Sequence, residues 1–465
     1  MAENNRFDLV ILGGGPGGYV AAIKAAQEGL SAALVESDLL GGVCLNWGCI
    51  PSKALLASAR LYENILRARD FGISTGEISY NWEAIVKRSR QVADRAAKGV
   101  AYLMKKNGIT VFQGKGVLAG QGRIRIEAGE EKAVSAGNII LATGARPSEI
   151  PGIKADGETV ITSREALALK HRPESIVIVG GGAIGMEFAY LFNAFGSLVT
   201  VVELLERILP QEDQEISEEL KRLYQRKGMN ILTGSQVERI ETPANNKVSV
   251  LVKTGDKSES FECEKVLVAV GVRGNVEGIG CEEAGVEVEK GFIKVDRSYR
   301  TTASGIWAIG DCIGPPLLAH AASAEGISAV ESILGRKARF IAGDLVPSCI
   351  YCQPQVASVG LTEAAALQAG HEVSVGRFPF RPLGKALALG ERDGFVKAVV
   401  DKKSGKLLGM HILGPEATEL IPEAVFAKYT GASAEEMHHA VHPHPTLSEA
   451  LAEAVSAATG AAIHL

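Results

Sequence analysis

The chain has 465 residues, which is too long for one domain, so we expect two to four domains with a large apolar core. Its 49 Lys and Arg residues and 54 Asp and Glu residues give a formal net charge of −5, which offers no basis for binding nucleic acid or an anionic membrane. No apolar run reaches the roughly 18 residues that a membrane-spanning helix needs. Because the short start from Met1 to Arg6 is polar and leads straight into a strand, we expect no cleaved signal and a cytoplasmic protein.

The first predicted element is a dinucleotide-binding unit. A strand ends at Leu12, a glycine-rich turn follows, and an alanine-rich helix leads into a second strand that ends at Glu36. In this order of elements, Gly13 permits the tight turn, Gly15 lets the backbone approach a pyrophosphate, and Gly18 lets helix and strand pack closely. The carboxylate of Glu36 is placed to accept hydrogen bonds from a ribose.

A pair of cysteines, Cys44 and Cys49, follows just before a predicted helix whose first turn contains Pro51. On an ideal helix two Cα atoms five residues apart are separated by roughly 8 to 9 Å, which is beyond disulfide reach. A bridge therefore requires bent backbone, which Gly42 and Gly48 permit. The alternatives are two ordinary buried thiols or half of a metal site, but zinc prefers cysteines about two to four residues apart and needs two further ligands. We predict no metal site, and together with the rest of the chain the pattern favours a redox-active disulfide.

The dinucleotide pattern returns in the middle of the chain. A strand leads into a turn that contains Gly180, Gly182 and Gly185, and a helix and a second strand then end at Glu203. Glu203 follows Gly180 by the same interval as the acidic residue follows the first glycine of the earlier copy. One such motif is a weak signal, but two in equal register predict two dinucleotide-binding folds.

Each copy closes with a strand that runs into glycine, at Gly144 and at Gly271. The first copy is about 40 residues longer, and the cysteine pair opens this insertion, which shows helical patterns near 53–68 and 82–106. A third strand ends at Asp311, whose carboxylate could accept hydrogen bonds from a ligand's hydroxyls. The alternative for Asp311 is a simple turn after a buried strand.

From about Leu345 the pattern changes to four short strands followed by two helices, which indicates an α+β domain without a phosphate loop. The predicted fold class is therefore α/β, with two Rossmann-like dinucleotide-binding domains and a C-terminal α+β dimerisation domain. The predicted domains are 1–148 for the first nucleotide fold with its helical insertion, 149–273 for the second, 274–344 for a central domain and 345–465 for association.

With these elements assembled, the chain resembles the flavin disulfide reductases over its whole length, and among them the dihydrolipoamide dehydrogenases. The most specific matches are the segments from Gly41 to Lys53 and from His442 to Glu449. The resemblance implies FAD on the first nucleotide fold and NAD on the second. It implies FAD contacts at Gly13, Gly15, Gly18, Glu36, Lys53, Gly116, Thr143, Gly144, Asp311 and Ala319. It implies NAD contacts at Gly180, Gly182, Gly185, Glu203, Val237 and Gly271.

The charge of Glu203 favours NAD over NADP, because a carboxylate accepts bonds from free ribose hydroxyls and repels a 2′-phosphate. Arg207 lies four residues further on, and its positive charge is the feature that speaks for NADP instead.

The resemblance also implies catalytic roles. It implies that Cys44 exchanges with substrate, that Cys49 lies against the flavin, and that Lys53 lies near the flavin and pairs with Glu187. The alternative for Lys53 is a solvated lysine on a helix.

The implied base is His444, held in a stiff extended segment by prolines on both sides, with His442 as its rival. Glu449 either orients the His444 ring or caps the following helix, and both possibilities stay open. By the resemblance this segment reaches the disulfide of a partner subunit, which implies a homodimer. The implied partners are lipoyl domains of 2-oxo acid dehydrogenase complexes or the H protein of glycine cleavage.

Two alternatives to this function are another FAD-dependent disulfide reductase and a flavin-carrying binding protein without turnover. A flavin-carrying protein without turnover would be expected to lack at least one of its catalytic residues. All five are present, namely Cys44, Cys49, Lys53, His444 and Glu449. Two features depart from the expected pattern. Cys349 and Cys352 form a second Cys-x-x-Cys in a predicted strand, where a bridge is not expected because residues three apart point to opposite faces. Gln355 stands where the family often has glutamate.

Overall fold

The structure is a computed structural model that describes residues 6–120, 122–127, 132–241 and 247–465. Its contacts divide the chain into two compact units. Unit 1 contains the described residues of 1–55, 81–148 and 271–341, and unit 2 contains those of 56–80, 149–270 and 342–465. Within these described ranges, none of the helices combines the length and the apolar character that a bilayer crossing requires.

The helices are α1 Pro16–Gln27, α2 Gly42–Trp47, α3 Cys49–Leu66, α4 Trp82–Lys106, α5 Ser163–Ala166, α6 Ala183–Ala194, α7 Gln214–Arg226, α8 Ala319–Ile333, α9 Glu363–Gln368, α10 Gly384–Leu389, α11 Ala417–Thr430, α12 Ala434–His439 and α13 Glu449–Thr459. Short 3-10 helices lie at Ala68–Phe71, Gly310–Ile313 and Gly343–Leu345.

The strands are β1 Arg6–Leu12, β2 Ala32–Glu36, β3 Thr110–Gln113, β4 Lys115–Leu118, β5 Arg123–Glu127, β6 Lys132–Leu141, β7 Ala145–Pro147, β8 Val160–Ile161, β9 Ser175–Val179, β10 Leu198–Val202, β11 Asn230–Leu232, β12 Ser235–Glu241, β13 Val248–Thr254, β14 Lys257–Cys263, β15 Lys265–Val268, β16 Val272–Gly274, β17 Val288–Glu289, β18 Phe292–Ile293, β19 Ile306–Ala308, β20 Ser348–Ile350, β21 Gln355–Gly360, β22 Val373–Pro379, β23 Phe395–Asp401 and β24 Leu407–Gly414.

The main sheet of unit 1 has the order β3-β2-β1-β6-β5-β4, and β19 pairs with β6 outside this path. The four strands β3, β2, β1 and β6 are parallel, and β19 joins β6 in the same direction. Parallel strands are covered on both faces, which is why Leu9 to Leu12 of β1 are all buried. Helices α1 and α8 pack closely because Gly326 lacks a Cβ, which would stand 2.7 Å from the Gly17 carbonyl oxygen. This unit contains the predicted first nucleotide fold.

Unit 2 contains a parallel sheet of order β11-β10-β9-β15-β8 and a three-stranded antiparallel sheet β12-β13-β14. Its C-terminal part is an antiparallel sheet of order β20-β21-β24-β23-β22, with α11 against β21 and β24 and α13 against β22 and β23. The predicted fold class, with two dinucleotide folds and a C-terminal α+β part, is therefore confirmed.

The predicted four-part division differs from the two compact units. The predicted first and third parts share unit 1, because β19 completes the sheet of β6. Residues 56–80 group with unit 2, where Tyr62 and Tyr80 contact the Phe195 ring at centroid distances of 5.3 and 4.9 Å. The assignment of the four parts to separate functions stays a prediction.

A buried ion-pair cluster joins the second nucleotide fold to the C-terminal sheet within unit 2. The Lys397 side chain on β23 is only 3% exposed, and its Nζ lies 2.9 Å from Asp213, 2.6 Å from Glu215 and 2.8 Å from Glu363. Asp213 is also the N-cap of α7, whose Glu215 N–H donates to its carboxylate. These bonds outweigh the cost of burial and raise the pKa of Lys397. The cluster therefore fixes the start of α7 against β23.

We predict that Lys397→Met lowers the free energy of unfolding of unit 2 by about 3 to 5 kcal/mol, because it leaves the buried Asp213 carboxylate without its cation. Urea unfolding of the holoenzyme measures the change. The matched control is Lys403→Met, which removes an exposed pair with Glu372 and should change stability by about 0.5 kcal/mol or less. Equal effects of the two substitutions would contradict the structural role of the buried cluster.

Candidate active site

The two predicted redox cysteines lie on different helices, separated by a backbone break at Gly48. Cys44 is in α2, and Cys49 is the first residue of α3. Between them Gly48 has φ −144° and ψ −114°, so the chain cannot continue as one helix. Both residues are thiols in this structure, and the Cys44 side chain is hydrogen-bonded to Cys49. The bend that the sequence required for a bridge is therefore present at Gly48.

The redox segment also lies against the first glycine turn, within unit 1. Gly42 has φ +59°, and a Cβ there would stand 2.7 Å from the Cα of Gly15. The Gly41 N–H donates to the Gly14 carbonyl at 2.8 Å. Only residues without a Cβ allow this approach. The cysteine pair is thus held beside the turn that would carry a pyrophosphate.

The electrostatics of the pair favour a proton on Cys44. Its hydrogen bond to Cys49, its burial and a negative charge on Cys49 together raise the pKa of Cys44, and Lys53 opposes this in part. Burial raises the pKa of Tyr19 on α1, and a thiolate at Cys44 would raise it further. Sequence analysis did not select Tyr19, because its position on an alanine-rich helix carries no chemical pattern.

Helix α4 clamps the redox segment, residues 41–55, in the sense that three consecutive residues of α4 donate hydrogen bonds to its carbonyl groups. The sequence did not predict these contacts. Arg88 donates to the Ala54 carbonyl at 3.1 Å, and Ser89 donates to the Pro51 carbonyl at 3.0 Å. Arg90 donates to the Asn46 carbonyl at 2.5 Å, and its guanidinium lies 4.2 Å from the centre of the Trp47 ring. These contacts join segments more than 30 residues apart, and no local pattern predicts them.

In the first glycine turn the backbone is shaped by contacts that exclude side chains. Gly13 has φ +107°, and a Cβ on Gly18 would stand 1.9 Å from the Gly13 carbonyl oxygen. At Gly15, by contrast, a Cβ would meet only Gly42, at 4.0 Å, so space remains beside the turn. Glu36 accepts hydrogen bonds from the Gly14 N–H at 2.7 Å and from the Asp38 N–H at 2.7 Å. This cradle fits the pyrophosphate and ribose of a dinucleotide.

The other predicted FAD residues also lie in unit 1. Gly116 packs on Leu12, where a Cβ would stand 2.6 Å from the leucine side chain. Thr143 Oγ1 donates to the Asn275 carbonyl at 2.8 Å, and the Asn275 N–H donates to the Gly144 carbonyl at 2.9 Å. These contacts shape the chain where β6 ends.

Asp311 and Ala319 complete this predicted set. Burial raises the pKa of Asp311, so hydroxyl donors from a bound ligand would stabilise its ionised carboxylate. Ala319 begins the 15-residue helix α8, whose first turn receives no capping bond from a side chain of the described residues. The backbone N–H groups of that turn are therefore suited to a phosphate.

The second glycine turn repeats the first within unit 2. Gly180 has φ +110°, and a Cβ on Gly185 would stand 1.9 Å from the Gly180 carbonyl oxygen. No atom of the described residues lies within 4 Å of the Cβ position of Gly182. Glu203 accepts from the Gly181 N–H at 2.6 Å and from the Leu205 N–H at 2.8 Å. The turn therefore offers a second dinucleotide cradle with a carboxylate at the ribose position.

The two remaining predicted NAD residues, Val237 and Gly271, belong to different units. The side chain of Val237 is buried in the apolar core of unit 2, which leaves its backbone as the part able to contact adenosine. Gly271, with φ +104°, belongs to unit 1, where its carbonyl accepts from Ser148. Arg207 donates to the Pro210 carbonyl at 3.0 Å, so its guanidinium is engaged by its own loop.

The predicted base lies in a short segment of unit 2 that we call the His-Pro segment, residues 440–449. His444 is 77% exposed, and its Nδ1 lies 2.8 Å from Oε1 of Glu449. The other oxygen of Glu449 accepts from the Thr446 N–H at 2.9 Å. The two oxygens of Glu449 therefore serve the imidazole and a backbone N–H of its own segment. The alternative of a helix cap by Glu449 does not hold, because Ser448 is the N-cap of α13 and no side chain of the described residues caps it. Helix α13 begins at Glu449.

Glu187 is buried on α6, where it accepts from the Tyr351 N–H at 3.0 Å. Glu187 belongs to unit 2 and Lys53 to unit 1, and their pairing stays a prediction.

The residues that depart from the family pattern also lie in unit 2. Gln355 accepts from the backbone N–H and the hydroxyl of Thr418 at 3.1 and 3.0 Å, which gives its side chain a structural role.

Cys349 and Cys352 are not joined by a disulfide. Cys349 lies in β20, which ends at Ile350, so that Cys352 follows the strand. Burial raises the pKa of Cys352 to about 12, and its thiol donates to the Pro354 carbonyl at 3.2 Å. A buried thiol of this kind is unreactive.

Comparison with known proteins agrees with this geometry. The family model described as pyridine nucleotide-disulphide oxidoreductase matches residues 7–326, and the model of its dimerisation domain matches residues 346–455. The dihydrolipoyl dehydrogenase of Chlorobaculum parvum is 47% identical over 459 residues, which cover 98% of both chains. That of Bacillus subtilis is also 47% identical, over 469 residues that cover 98% of this chain and 99% of the relative.

Among solved structures, LpdA from Mycobacterium tuberculosis matches with a TM-score of 0.90 at 28% identity, covering 97% of this chain and 99% of that one. The C-terminal match gives the chain a dimerisation domain, which supports a homodimer. The identity and coverage of the curated relatives extend over nearly the whole length of both nucleotide folds and the C-terminal part. The chain therefore belongs to the pyridine nucleotide-disulphide oxidoreductases and, within them, to the dihydrolipoyl dehydrogenases, a family that uses FAD and NAD(H).

Proposed function

We propose that this chain oxidises protein-bound dihydrolipoamide to lipoamide with NAD, as the dihydrolipoyl dehydrogenase component of 2-oxo acid dehydrogenase complexes or of the glycine cleavage system. The observation that carries the proposal is the contact between Cys44 and Cys49 beside the first glycine turn. A disulfide at this place is the electron acceptor that a dithiol substrate needs.

In the proposed cycle one thiolate of the substrate attacks Sγ of Cys44 in the Cys44–Cys49 disulfide. The S–S bond breaks, Cys49 leaves as a thiolate, and a mixed disulfide joins the substrate to Cys44. The second substrate thiolate then attacks the substrate sulfur of this mixed disulfide. This attack closes the lipoamide ring and releases Cys44 as a thiolate. Two electrons have moved to the cysteine pair, and Cys44 takes up a proton because Cys49 next to it raises its pKa.

Glu36, Asp311 and the first turn of α8 would hold FAD on the first glycine turn, and FAD when bound would supply the two-electron redox chemistry. The lipoyl arm brings thiols whose protons must be removed before attack, because only the thiolate is nucleophilic. His444 is suited to this task, since its Nδ1 faces Glu449 and its Nε2 is left to take the substrate proton. Glu449 fixes the tautomer and the orientation of the ring.

The charges near the second glycine turn support NAD as the cofactor. The carboxylate of Glu203 at the end of the second nucleotide fold favours NAD over NADP, and the nearby guanidinium of Arg207 is occupied by the Pro210 carbonyl. We further propose a cytoplasmic homodimer in which His444 serves the cysteine pair of the partner subunit. Seven cysteines with one proposed catalytic pair do not form the structural disulfide framework of a secreted protein, which suits a reducing compartment.

Replacing the exchange cysteine should abolish lipoamide turnover. We predict that Cys44→Ser lowers the rate of dihydrolipoamide-dependent NADH formation about a thousandfold or more, because no disulfide can form. In the oxidised wild-type enzyme, five of the seven cysteines should react with a thiol reagent after denaturation, and all seven after dihydrolipoamide reduction. Cys349→Ser, which removes a cysteine outside the site, is the matched control and should keep full activity. Full lipoamide activity in Cys44→Ser would overturn the proposed function.

Replacing the base should lower turnover and leave the disulfide intact. We predict that His444→Gln lowers kcat with dihydrolipoamide about 10² to 10⁴-fold, the usual contribution of a general base. The count of reactive thiols before and after reduction should stay as in the wild type. The matched control is His464→Gln, which removes another exposed histidine paired with a glutamate, Glu453, at 2.7 Å. A comparable loss in both variants would contradict a specific role of His444.

The open space at the second glycine turn predicts an effect on one cofactor alone. We predict that Gly182→Ala raises KM for NAD about tenfold, because the new methyl group would occupy the pyrophosphate position while touching no atom of the described residues. Content of bound FAD and the thermal midpoint should stay unchanged. Gly99→Ala, which also places a methyl group in open space but on α4, is the control with unchanged KM. An unchanged KM in Gly182→Ala would exclude this turn as the NAD site.

A further inference from the structure

His442, two residues before the predicted base, has hydrogen-bond acceptors at both ring nitrogens. Its Nδ1 lies 2.8 Å from the Ala440 carbonyl oxygen, and its Nε2 lies 2.8 Å from Oε1 of Glu423 on α11. A carbonyl oxygen never donates, and an ionised carboxylate only accepts. Both nitrogens must therefore carry protons to make these two bonds, which is the imidazolium form.

The surroundings of the ring favour its positive charge. The hydrogen bond to Glu423 and the charge of that carboxylate raise the pKa of His442, as do the Ala440 carbonyl and the charge of Glu449 on α13. Burial opposes them, since the side chain is only 11% exposed. Sequence analysis treated His442 only as a rival base, and a ring with both nitrogens engaged has none left to accept a substrate proton.

The position of His442 couples this charge to the His-Pro segment. Ala440 is the residue at which α12 ends, and Glu423 lies in the middle of α11, which packs on the C-terminal sheet. The ring therefore ties the beginning of the segment to a rigid helix. Only Pro443, whose backbone is restricted in φ, stands between His442 and His444.

We propose that His442 is a positively charged positioning residue, which anchors the His-Pro segment by bridging Glu423 and the Ala440 carbonyl so that His444 is held at the place of proton transfer. This inference rests on the proposed function of His444. His442 does not exchange protons with substrate in this arrangement. Glu449 is hydrogen-bonded to His444, and its negative charge also attracts the positively charged ring of His442.

The sign of the pH dependence follows from the raised pKa of His442. A histidine whose pKa is raised in the folded state stabilises the fold fully below its ordinary value of about 6.5, and this contribution is lost as pH rises through the raised value. Glu423→Gln keeps the shape of the anchor and removes the charge that holds the second proton. The anchor should then fail at a lower pH than in the wild type.

The experiment compares Glu423→Gln with wild-type holoenzyme across pH 6 to 9. We expect the ratio of kcat values, variant over wild type, to be highest at the acid end and to fall about tenfold where pH lies above the pKa of His442 in the variant and below that in the wild type, the scale of loss expected when a catalytic group is misplaced. His442→Gln should show the loss at every pH. The matched control is Glu453→Gln, which breaks the similar exposed pair with His464 and should leave the ratio near one throughout.

A second measurement does not depend on turnover. The pH midpoint of hydrogen exchange at the imidazole C2 position, resolved by mass spectrometry of peptides, reports the protonation of each histidine separately. For His442 we expect a midpoint above about 6.5 in the wild type and a lower one in Glu423→Gln. A wild-type midpoint at or below the ordinary value, or a kcat ratio independent of pH, would overturn the proposal. If the enzyme proved inactive with dihydrolipoamide, the exchange midpoint would still decide whether His442 carries a fixed charge.

Discussion

The contact between two thiols five residues apart is the constraint on which the rest of the site depends. A continuous helix through Cys44 and Cys49 would hold them beyond bonding distance, and the non-helical backbone at Gly48 removes that obstacle. Gly42 then allows the segment to lie against Gly15 in the first nucleotide turn. Two positions without a Cβ thus bring the cysteines to each other and bring the pair to the cofactor cradle. The clamp from α4 holds this unusual backbone in place, since Arg90 satisfies the Asn46 carbonyl in the last turn of α2 while Arg88 and Ser89 bond carbonyls in the first turns of α3.

The two nucleotide cradles solve one physical problem twice. In each, a glutamate at the end of the second strand accepts a backbone N–H from the middle of the glycine turn, at 2.7 Å from Gly14 and 2.6 Å from Gly181. A single carboxylate therefore shapes the turn while keeping further lone pairs for a ribose. The equal spacing in the sequence reflects this shared geometry, because the helix between turn and strand must have the same length for the carboxylate to reach the turn. That is why a sequence interval could predict both cradles.

The sequence predicted those parts of the molecule that depend on local chemistry. Helix α4 runs from Trp82 to Lys106 as expected, and the strand β2 ends at Glu36 as predicted. What it did not predict depends on contacts between distant segments. Arg90 reaches Trp47 and the Asn46 carbonyl across more than 40 residues, and no periodicity encodes such a meeting. Glu449 could not be assigned from sequence for a different reason, since one carboxylate with two oxygens bonds both the imidazole and a backbone N–H.

The C-terminal sheet also supports the second nucleotide fold, through the loop that follows Glu203. This loop is tied to the glycine turn at two points, because Glu203 accepts from the Gly181 N–H and Leu209 donates to the Gly181 carbonyl at 2.8 Å. Leu209 takes up a positive φ of 44°, a conformation that a branched side chain adopts only when its surroundings impose it. The loop ends at Asp213, which the buried ammonium of Lys397 holds from the other side. A strand of the C-terminal sheet therefore restrains the loop that follows Glu203, so the shape of the proposed NAD cradle depends on residues outside the nucleotide fold itself.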